Sequence, residues 1–266
     1  MTKRIGASSK ESIDPAVLQQ LNAGSMESAT LSEALAVDFS VLMAHAVSEM
    51  SRDGITQLQQ AHALGITKRM ELAANVLVNH LGDQAFDAFC NHASDTVRGW
   101  AAYIVGLNPN LPLKEKLLMI QPLADDAHFG VREWAWLALR PAIAQDIKQS
   151  IALFMPWIAN PSENIRRFAI ESTRPRGVWC KHIPALKTCP AIGESLLDGV
   201  MADASRYVQN SCANWLNDAG KSDVEWVKRY CEKWRAESSS EAVTYISRRA
   251  LRNVSADTDY KSVTPT

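Results

Sequence analysis

The amino-acid sequence predicts an all-α protein built from stacked helical pairs, and the main reason is a repeated pattern. An apolar residue, then a basic or polar residue, then a small residue four places after the first recur at anchors 97, 131, 165, 208 and 246. These anchors lie 34, 34, 43 and 38 residues apart. Such a period, with two amphipathic helices per unit, is typical of HEAT-like repeats. Because one pair cannot bury its apolar face alone, the pairs must stack into an α-solenoid with a concave face.

The helices are expected in a simple order along the chain. Residues 1–12 are rich in small and charged side chains, which predicts a disordered N-terminal arm. Asp14-Pro15 opens a helix that closes at Gly24. Further helices are expected at 30–50, 56–64, 67–79 and 83–91, and the helices at the anchors are expected to be capped by Asp126, Asn160, Asp203 and Glu241. We therefore expect a single HEAT-like solenoid domain at 13–253 and a polar C-terminal tail at 254–266.

Composition and motifs exclude several classes of protein. Hydrophobic residues make up 47% of the 266 residues, yet no apolar run approaches the length of about 18 that a membrane span needs. The five scattered cysteines indicate reduced thiols, so a cytoplasmic location, in a bacterial-type cytosol or nucleoid, is expected. Cys180, His182 and Cys189 match no standard zinc spacing, and no phosphate-loop, zincin or hydrolase motif is present. The sequence predicts neither a metal nor a cofactor.

Positive charge is concentrated in the middle of the chain, although the net charge is −1. Residues 128–187 carry 9 basic and 4 acidic side chains. A local basic stripe can attract a polyanion even when the whole protein is nearly neutral. Arginines of the repeat pattern at 98, 132 and 166 are also explained by structural bonds to acidic caps. That explanation does not cover Arg140, Arg174, Arg176 and Lys181, which we expect on the concave face in contact with the phosphates of a polyanion.

The segment Asn160 to His182 begins as one copy of the repeat and then departs from it. Pro175 prevents the helix from continuing and favours an extended conformation at Arg174. The guanidiniums of Arg174 and Arg176 flank this proline, and such forked donors suit paired phosphate contacts. Trp179 either stacks on a sugar or base, or packs in the core. The segment therefore predicts a rigid loop that binds phosphate.

A second group of polar residues is expected on the helix that starts near position 206. Arg206 joins a hydroxyl and backbone N–H groups at the start of this helix, where a phosphate can bind. Asn214 and Asn217 can form hydrogen bonds with phosphate or sugar. Helix capping before Gly220 is the competing explanation for Asn217 and the preferred one for Asp218.

Two strings carry a resemblance to a known family: IRRFAIESTRPRGVW at 165–179 and DASRYVQNSCANWLND at 203–218. They resemble the HEAT-like DNA alkylation repair proteins, and most closely the AlkC branch of the AlkC and AlkD alkylpurine DNA glycosylases, over residues 60–235. The resemblance implies a right-handed solenoid that binds duplex DNA and excises cationic N3- or N7-alkylated purines without flipping the base into a pocket. It also implies a place near the lesion and its phosphates for Glu171, Arg174, Arg176 and Trp179.

The chain departs from this family at one carboxylate position. Active AlkC-like proteins carry a glutamate four residues before an arginine-proline pair, and here Trp136 stands four residues before Arg140-Pro141. The carboxylate role then either passes to Glu171, assisted by Glu133, or is lost. Trp136 itself is expected at the DNA-binding face.

Two hypotheses remain open at this point. In the first, the protein hydrolyses the N-glycosidic bond of cationic alkylpurines in DNA, with a carboxylate stabilising an oxocarbenium-like sugar. In the second, it is a non-catalytic HEAT-repeat module that binds DNA or a protein partner on the same face. Whether the protein is an enzyme is thus left open, and neither hypothesis involves a membrane.

Overall fold

The computed structural model of the protein describes residues 4–253, and this range consists of helices and turns without a β-strand. The predicted all-α fold class is confirmed. No helix in the described range combines the length and the apolar character that crossing a membrane requires. The contacts divide the chain after Leu139 into two compact units, called unit 1 and unit 2 below. The single domain expected at 13–253 stays a prediction.

Unit 1 is described from residue 4 to residue 139. Its α-helices are α1 (Pro15–Asn22), α2 (Leu31–Ala36), α3 (Phe39–Ala46), α4 (Arg52–Gln60), α5 (Ile66–Leu81), α6 (Ala85–Phe89), α7 (Asp95–Leu107), α8 (Leu113–Ala124) and α9 (Phe129–Gln145), which continues past the division; short 3-10 helices lie at Lys10–Ser12, Ala61–Ala63 and Gly82–Gln84. Helix α7 packs against α5, α6 and α8, and its residues from Asp95 to Val105 are all buried. Gly106 allows a close approach to α9, because a Cβ there would overlap the backbone of Ala138.

Unit 2 is described from residue 140 to residue 253. After the end of α9 it contains α10 (Ile147–Ile158), α11 (Glu163–Ser172), α12 (Pro184–Thr188), α13 (Glu194–Asp198), α14 (Arg206–Gly220), α15 (Val224–Glu237) and α16 (Glu241–Ala250), with a 3-10 helix at Pro190–Gly193. Helices α11, α14 and α16 pack side by side, α10 packs on α11, and α15 packs on α14 and α16. This alternation is the HEAT-like arrangement that the anchors at 165, 208 and 246 predict.

The basic residue of the repeat has a structural role, which Arg98 shows most clearly. Its Nη1 donates to the backbone oxygens of His92 and Ala93, at 2.7 and 3.3 Å. Its Nε donates to the carboxylate of Asp126 at 2.8 Å. One guanidinium thus fastens the start of its own helix to the start of the next repeat.

Two further repeat arginines are used in a similar way. Arg166 donates to two backbone oxygens just before α11, both at 2.9 Å, and to the carboxylate of Asp203 at 2.6 Å. Arg132 donates to the backbone oxygens of Asp126 and Ala127, at 2.6 and 3.0 Å. The structural explanation of the repeat arginines therefore holds at these positions.

The predicted helix caps are displaced by two residues. Helices α11 and α14 are capped by Ser162 and Ser205, whose hydroxyls accept hydrogen bonds from backbone N–H groups of the first turn. Asn160 and Asp203 instead accept the backbone N–H of these serines, at 2.9 and 2.8 Å. The side chain expected to cap the helix therefore supports the capping residue, and in Asp203 it also pairs with the repeat arginine.

Two other helix starts differ from the sequence prediction. The helix expected at 30–50 is divided into α2 and α3, because Asp38 accepts the backbone N–H of Ser40 and starts a new helix. Glu241, expected to cap α16, lies in its first turn, and Ser240 is the capping residue. At both places a short polar side chain, Asp38 or Ser240, accepts a backbone N–H of the first turn and sets the helix start.

Residues 4–12 do not form the detached arm that the sequence predicts. Arg4 pairs with Glu33 of α2 at 2.6 Å, and the backbone N–H of Ala7 donates to the same carboxylate at 2.9 Å. The carboxylate is buried, so the N-terminal segment is fastened to α2. The polar tail expected at 254–266 lies outside the described residues.

Candidate functional site

The loop between α11 and α12, residues 173–183, is organised by the buried side chain of Arg140. Its guanidinium donates to the backbone oxygens of Ser172, Arg174 and Lys181, at 2.8, 2.6 and 3.3 Å. Arg140 is 2% exposed, and burial lowers the pKa of its guanidinium. The structure corrects the expectation that Arg140 contacts DNA, because its donors are directed to the loop and its side chain does not reach the surface.

Gly177 and Cys180 make the same loop compact. A Cβ at position 177 would overlap the sulfur of Cys180, so a larger residue here would displace the Cys180 side chain. Across the loop, the backbone N–H of Ile183 donates to the oxygen of Pro175 at 3.0 Å. Burial raises the pKa of the Cys180 thiol, which favours a packing role over a nucleophilic one. In the described part of the chain, no three His, Cys, Asp or Glu side chains are grouped so that they could hold a metal ion.

Trp179 lies on this loop in a conformation that is uncommon for a bulky residue. Its φ is 64°, in the left-handed region where such a side chain is strained. Trp179 is 45% exposed, and the preceding Val178 is 65% exposed. Of the two roles left open by the sequence, surface contact is thus favoured over core packing.

Two carboxylates from different helices meet at the guanidinium of Arg174. Glu171, at the end of α11, accepts a hydrogen bond from Nη1 at 2.6 Å. Asp218, on α14, accepts from Nε and Nη2 at 2.9 and 2.7 Å, and also from Lys221 at 2.9 Å. Glu171 and Asp218 are 4% and 3% exposed, so Arg174 bridges two buried anions.

The second oxygen of Glu171 is fixed by a hydroxyl group. Ser211 of α14 donates to Oε2 of Glu171 at 2.7 Å and accepts from Nε of Arg167 at 3.1 Å. Burial by itself would raise the pKa of Glu171, but the charges of Arg167 and Arg174 and the hydroxyl bond outweigh burial and hold the pKa below its ordinary value. Glu171 is therefore an anion at neutral pH.

Asp218 is the site residue that the sequence interpretation assigned to helix capping. Its partner Arg174 lies 44 residues away in the chain, so no local pattern reports the contact. One signal was available, since Ser211, Asn214 and Asp218 lie at helical spacing on one face of α14. In the structure Ser211 contacts Glu171 on α11, and Asp218 contacts Arg174 just after α11.

The other residues expected to bind DNA from α14 separate into buried and accessible groups. Asn217 is 4% exposed and donates to a backbone oxygen at the end of α16 at 2.9 Å, which corrects its assignment as a DNA contact. Asn214 is half-buried and accepts from Arg252 at 3.3 Å. Arg206 is exposed, and its guanidinium lies 3.7 Å from the ring centre of Tyr245.

Two cations of the loop reach the surface. Arg176 is partly exposed and donates to the hydroxyl of Ser222 at 2.9 Å and to the backbone oxygen of Asp218 at 3.3 Å. Lys181 is exposed. The acceptors of Arg176 are neutral, so its positive charge is not cancelled by the bonds that position it.

In unit 1, Trp136 stands at the position where the resemblance leads one to expect a glutamate, and it is paired with a nearby glutamate. The indole N–H of Trp136 donates to Oε2 of Glu133 at 2.8 Å, one turn away on α9. Trp136 is 5% exposed and Trp134 is 3% exposed, so both rings are packed. Trp136 is therefore corrected from a DNA contact to a residue that positions the half-buried Glu133.

Comparison with known proteins gives a family and two relatives. Residues 120–253 match the family model described as DNA alkylation repair enzyme, which covers half of the chain. A protein of Bacillus subtilis (strain 168), described as uncharacterized protein YhaZ, is 38% identical over 97 residues, which is 36% of this chain and 27% of that protein.

A solved structure has a similar fold. It is the alkylpurine DNA glycosylase AlkC of Pseudomonas fluorescens bound to DNA containing an abasic site analog, with a TM-score of 0.66 and 23% sequence identity. The similarity covers 92% of this chain and 64% of that chain. This chain therefore spans less than two thirds of the length of either relative, and the similarity to AlkC supports the helical fold.

Proposed function

The chain belongs to the DNA alkylation repair enzyme family, and we propose that it binds duplex DNA and hydrolyses the N-glycosidic bond of cationic N3- or N7-alkylated purines. The observation that carries this proposal is the pair of buried carboxylates, Glu171 and Asp218, joined by Arg174 at the base of the loop that exposes Trp179. AlkC, with its similar fold, is an alkylpurine DNA glycosylase and was solved with DNA.

The chemistry explains why an ionised carboxylate is useful. An alkylated purine already carries positive charge, so it leaves as a neutral base when its bond to C1′ breaks. The sugar then has oxocarbenium character, which a nearby anion stabilises. A water molecule adds to C1′, and its proton passes to the carboxylate or to solvent. Glu171 is held as an anion by its neighbours, and Asp218 provides a second carboxylate at the same guanidinium.

Access to these carboxylates depends on Arg174. Its side chain is 18% exposed, whereas the side chains of Glu171 and Asp218 are 5% and 4% exposed. Phosphate and carboxylate present similar paired oxygens to a guanidinium, so a DNA phosphate can compete for Arg174. A carboxylate released by this exchange could then interact with the sugar.

Trp179 suits contact with the damaged nucleotide. The electron-rich face of an indole attracts a cation, and both the alkylated purine and the developing sugar cation are positive. The bonds from Arg140 to backbone oxygens on both sides of Trp179, at Arg174 and Lys181, fix the loop that carries the ring. We assign Trp179 to the lesion for these reasons.

The remaining accessible residues are assigned to the DNA backbone. On the loop these are Arg176 and Lys181, and on α14 they are Arg206 and Asn214. Glu133, positioned by Trp136, is kept as an assisting carboxylate. We also propose a cytoplasmic location, which agrees with the five cysteines being free thiols.

The test is release of 7-methylguanine and 3-methyladenine from methylated duplex DNA. Wild type should release both bases. Glu171→Gln should lower the rate by about 10²–10³-fold, since removal of a group that stabilises transition-state charge has an effect of that size. Binding of duplex DNA, followed by gel shift, should be retained. Glu225→Gln, which changes an exposed carboxylate on α15, is the matched control and should behave as wild type.

Three outcomes would change the proposal. Binding without base release by wild type would leave a non-catalytic DNA-binding module. Absence of DNA binding at low salt would favour a protein partner instead. Full activity in Glu171→Gln would mean that Asp218 or Glu133 acts as the carboxylate. Measuring base release by Asp218→Asn and Glu133→Gln would then show which of the two it is.

A further inference from the structure

A group of arginines surrounds Tyr245 on α16, outside the carboxylate site. The guanidinium carbons of Arg206, Arg249 and Arg248 lie 3.7, 5.6 and 5.9 Å from the ring centre of Tyr245. Arg252 follows one turn later and donates to the backbone oxygen of Arg249 at 2.7 Å. We call Arg206, Arg248, Arg249 and Arg252 the Tyr245 arginine cluster.

This cluster has very little compensating negative charge. Within residues 4–253 its one ion pair joins Arg206 to Glu241 at 3.6 Å, and the Glu241 side chain is 92% exposed. Nε of Arg249 is buried without a hydrogen-bond acceptor. Grouped guanidiniums repel one another, so their proximity is favourable mainly when an anion binds among them. Forked donors of this kind match the oxygens of a phosphate.

A polar row on α14 connects the cluster to the carboxylate site. Arg206, Asn210, Asn214 and Asp218 follow one another at intervals of four residues, which places them on one face of the helix. The hydroxyl of Tyr245 donates to Asn210 at 2.7 Å, and Arg252 donates to Asn214 at 3.3 Å. Tyr245 of α16 and Arg252, just after that helix, therefore contact the first three residues of the row.

The electrostatics of Arg252 agree with this connection. Burial lowers the pKa of Arg252, and the positive charges of Arg249 and Arg174 lower it further, while Asp218 opposes them. Arg252 thus lies in the field of both the cluster and the carboxylate site. A polyanion that lies along α14 would meet the cluster at one end of the row and the guanidinium of Arg174 at the other.

We propose that the Tyr245 arginine cluster binds phosphates of duplex DNA at a distance from the damaged base. This proposal rests on the proposed function, because it uses the carboxylate site to place the base. From Arg206 to Asp218 the helix rises about 18 Å at 1.5 Å per residue. At about 3.4 Å per nucleotide along one strand, this separation corresponds to about five nucleotides.

The experiment measures the salt dependence of binding to a fluorescein-labelled duplex. Arg248→Gln with Arg252→Gln removes two charges of the cluster and substitutes no residue of the carboxylate site. Between about 50 and 200 mM salt, the slope of log affinity against log salt should become smaller by about 1.8, or 0.9 for each lost phosphate contact. Arg229→Gln with Arg235→Gln removes two exposed charges from α15 and should keep the wild-type slope.

A lysine pair, Arg248→Lys with Arg252→Lys, controls for loss of folding. It keeps the charge, so its slope should remain close to that of wild type, and thermal unfolding should show that all variants fold. A wild-type slope and affinity in the glutamine pair would overturn the cluster proposal while leaving the proposed function intact. If wild type itself fails to bind the duplex at low salt, the proposed function and the cluster proposal both fail.

Discussion

Arg140 and Arg174 occupy equivalent positions of the repeat, and their different partners give Arg140 a structural role and Arg174 a place in the candidate site. They lie 34 residues apart, as do the anchors Val131 and Ile165, and each is followed by proline. Arg140 donates to three neutral backbone oxygens and is 2% exposed. Arg174 donates to two carboxylates, and its side chain is 18% exposed. The same dipeptide therefore fastens a loop in one repeat and holds anions in the next.

The residue one turn earlier explains much of this difference. Glu171 precedes Arg174 by three residues, and the equivalent position before Arg140 is Leu137. With no carboxylate one turn earlier on its own helix, Arg140 is surrounded by the carbonyl groups of the following loop. The carbonyl oxygens around Arg140 are part of the folded loop, whereas in the proposed function a DNA phosphate competes with the carboxylates for Arg174.

The largest effect on stability is expected from Arg174→Met. The substitution leaves Glu171 and Asp218 buried without their shared guanidinium, and breaking a buried pair in this way costs about 3–5 kcal/mol. The free energy of unfolding can be measured by urea denaturation. Arg176→Met is the matched control, because Arg176 donates to neutral acceptors and is partly exposed. Its free energy of unfolding should fall far less than that of Arg174→Met. Equal losses in both variants would show that the carboxylates do not depend on Arg174.

A smaller loss is expected from Arg140→Lys. An ammonium group keeps the charge but cannot donate in the forked geometry, so at least one loop carbonyl is left unsatisfied at a cost of about 1–3 kcal/mol. Arg229→Lys, on the exposed side of α15, provides the control and should be neutral. If Arg140→Lys lowered the free energy of unfolding by more than Arg174→Met does, the bonds of Arg140 to the loop would matter more for stability than the ion pairs of Arg174.

Much of the fold could be predicted because the repeat pattern depends on residues that are close together in the sequence. The anchors at 165, 208 and 246 fall in α11, α14 and α16, since helical periodicity depends on neighbouring residues. Helix starts were less accurate, because several short polar residues near each start can accept the same backbone N–H groups. The caps moved from Asn160 and Asp203 to serines two residues later for this reason.

The candidate site could be predicted only in part. Glu171 and Arg174 were found from a resemblance and from their place in the chain, and they interact directly. Asp218 was missed because its contact with Arg174 depends on the packing of α11 against α14. Arg140 was misassigned because a sequence pattern reports charge but not whether the guanidinium is buried against carbonyl groups.

The smallest expected effect is on the pH dependence of stability, and it tests whether the charge of Glu171 stabilises the fold. Its pKa lies below the ordinary value of 4.5 in the folded protein, so its contribution is present above pH 4.5 and is lost as pH falls through the folded-state pKa. Glu171→Gln resembles the protonated side chain at every pH. The melting temperatures of wild type and Glu171→Gln should therefore differ most near neutral pH and converge below pH 4.5.

Glu225→Gln, in which an exposed ion pair with Lys228 is lost, should follow wild type throughout. A constant difference between wild type and Glu171→Gln at all pH values would mean that the amide changes packing and that the charge itself contributes nothing.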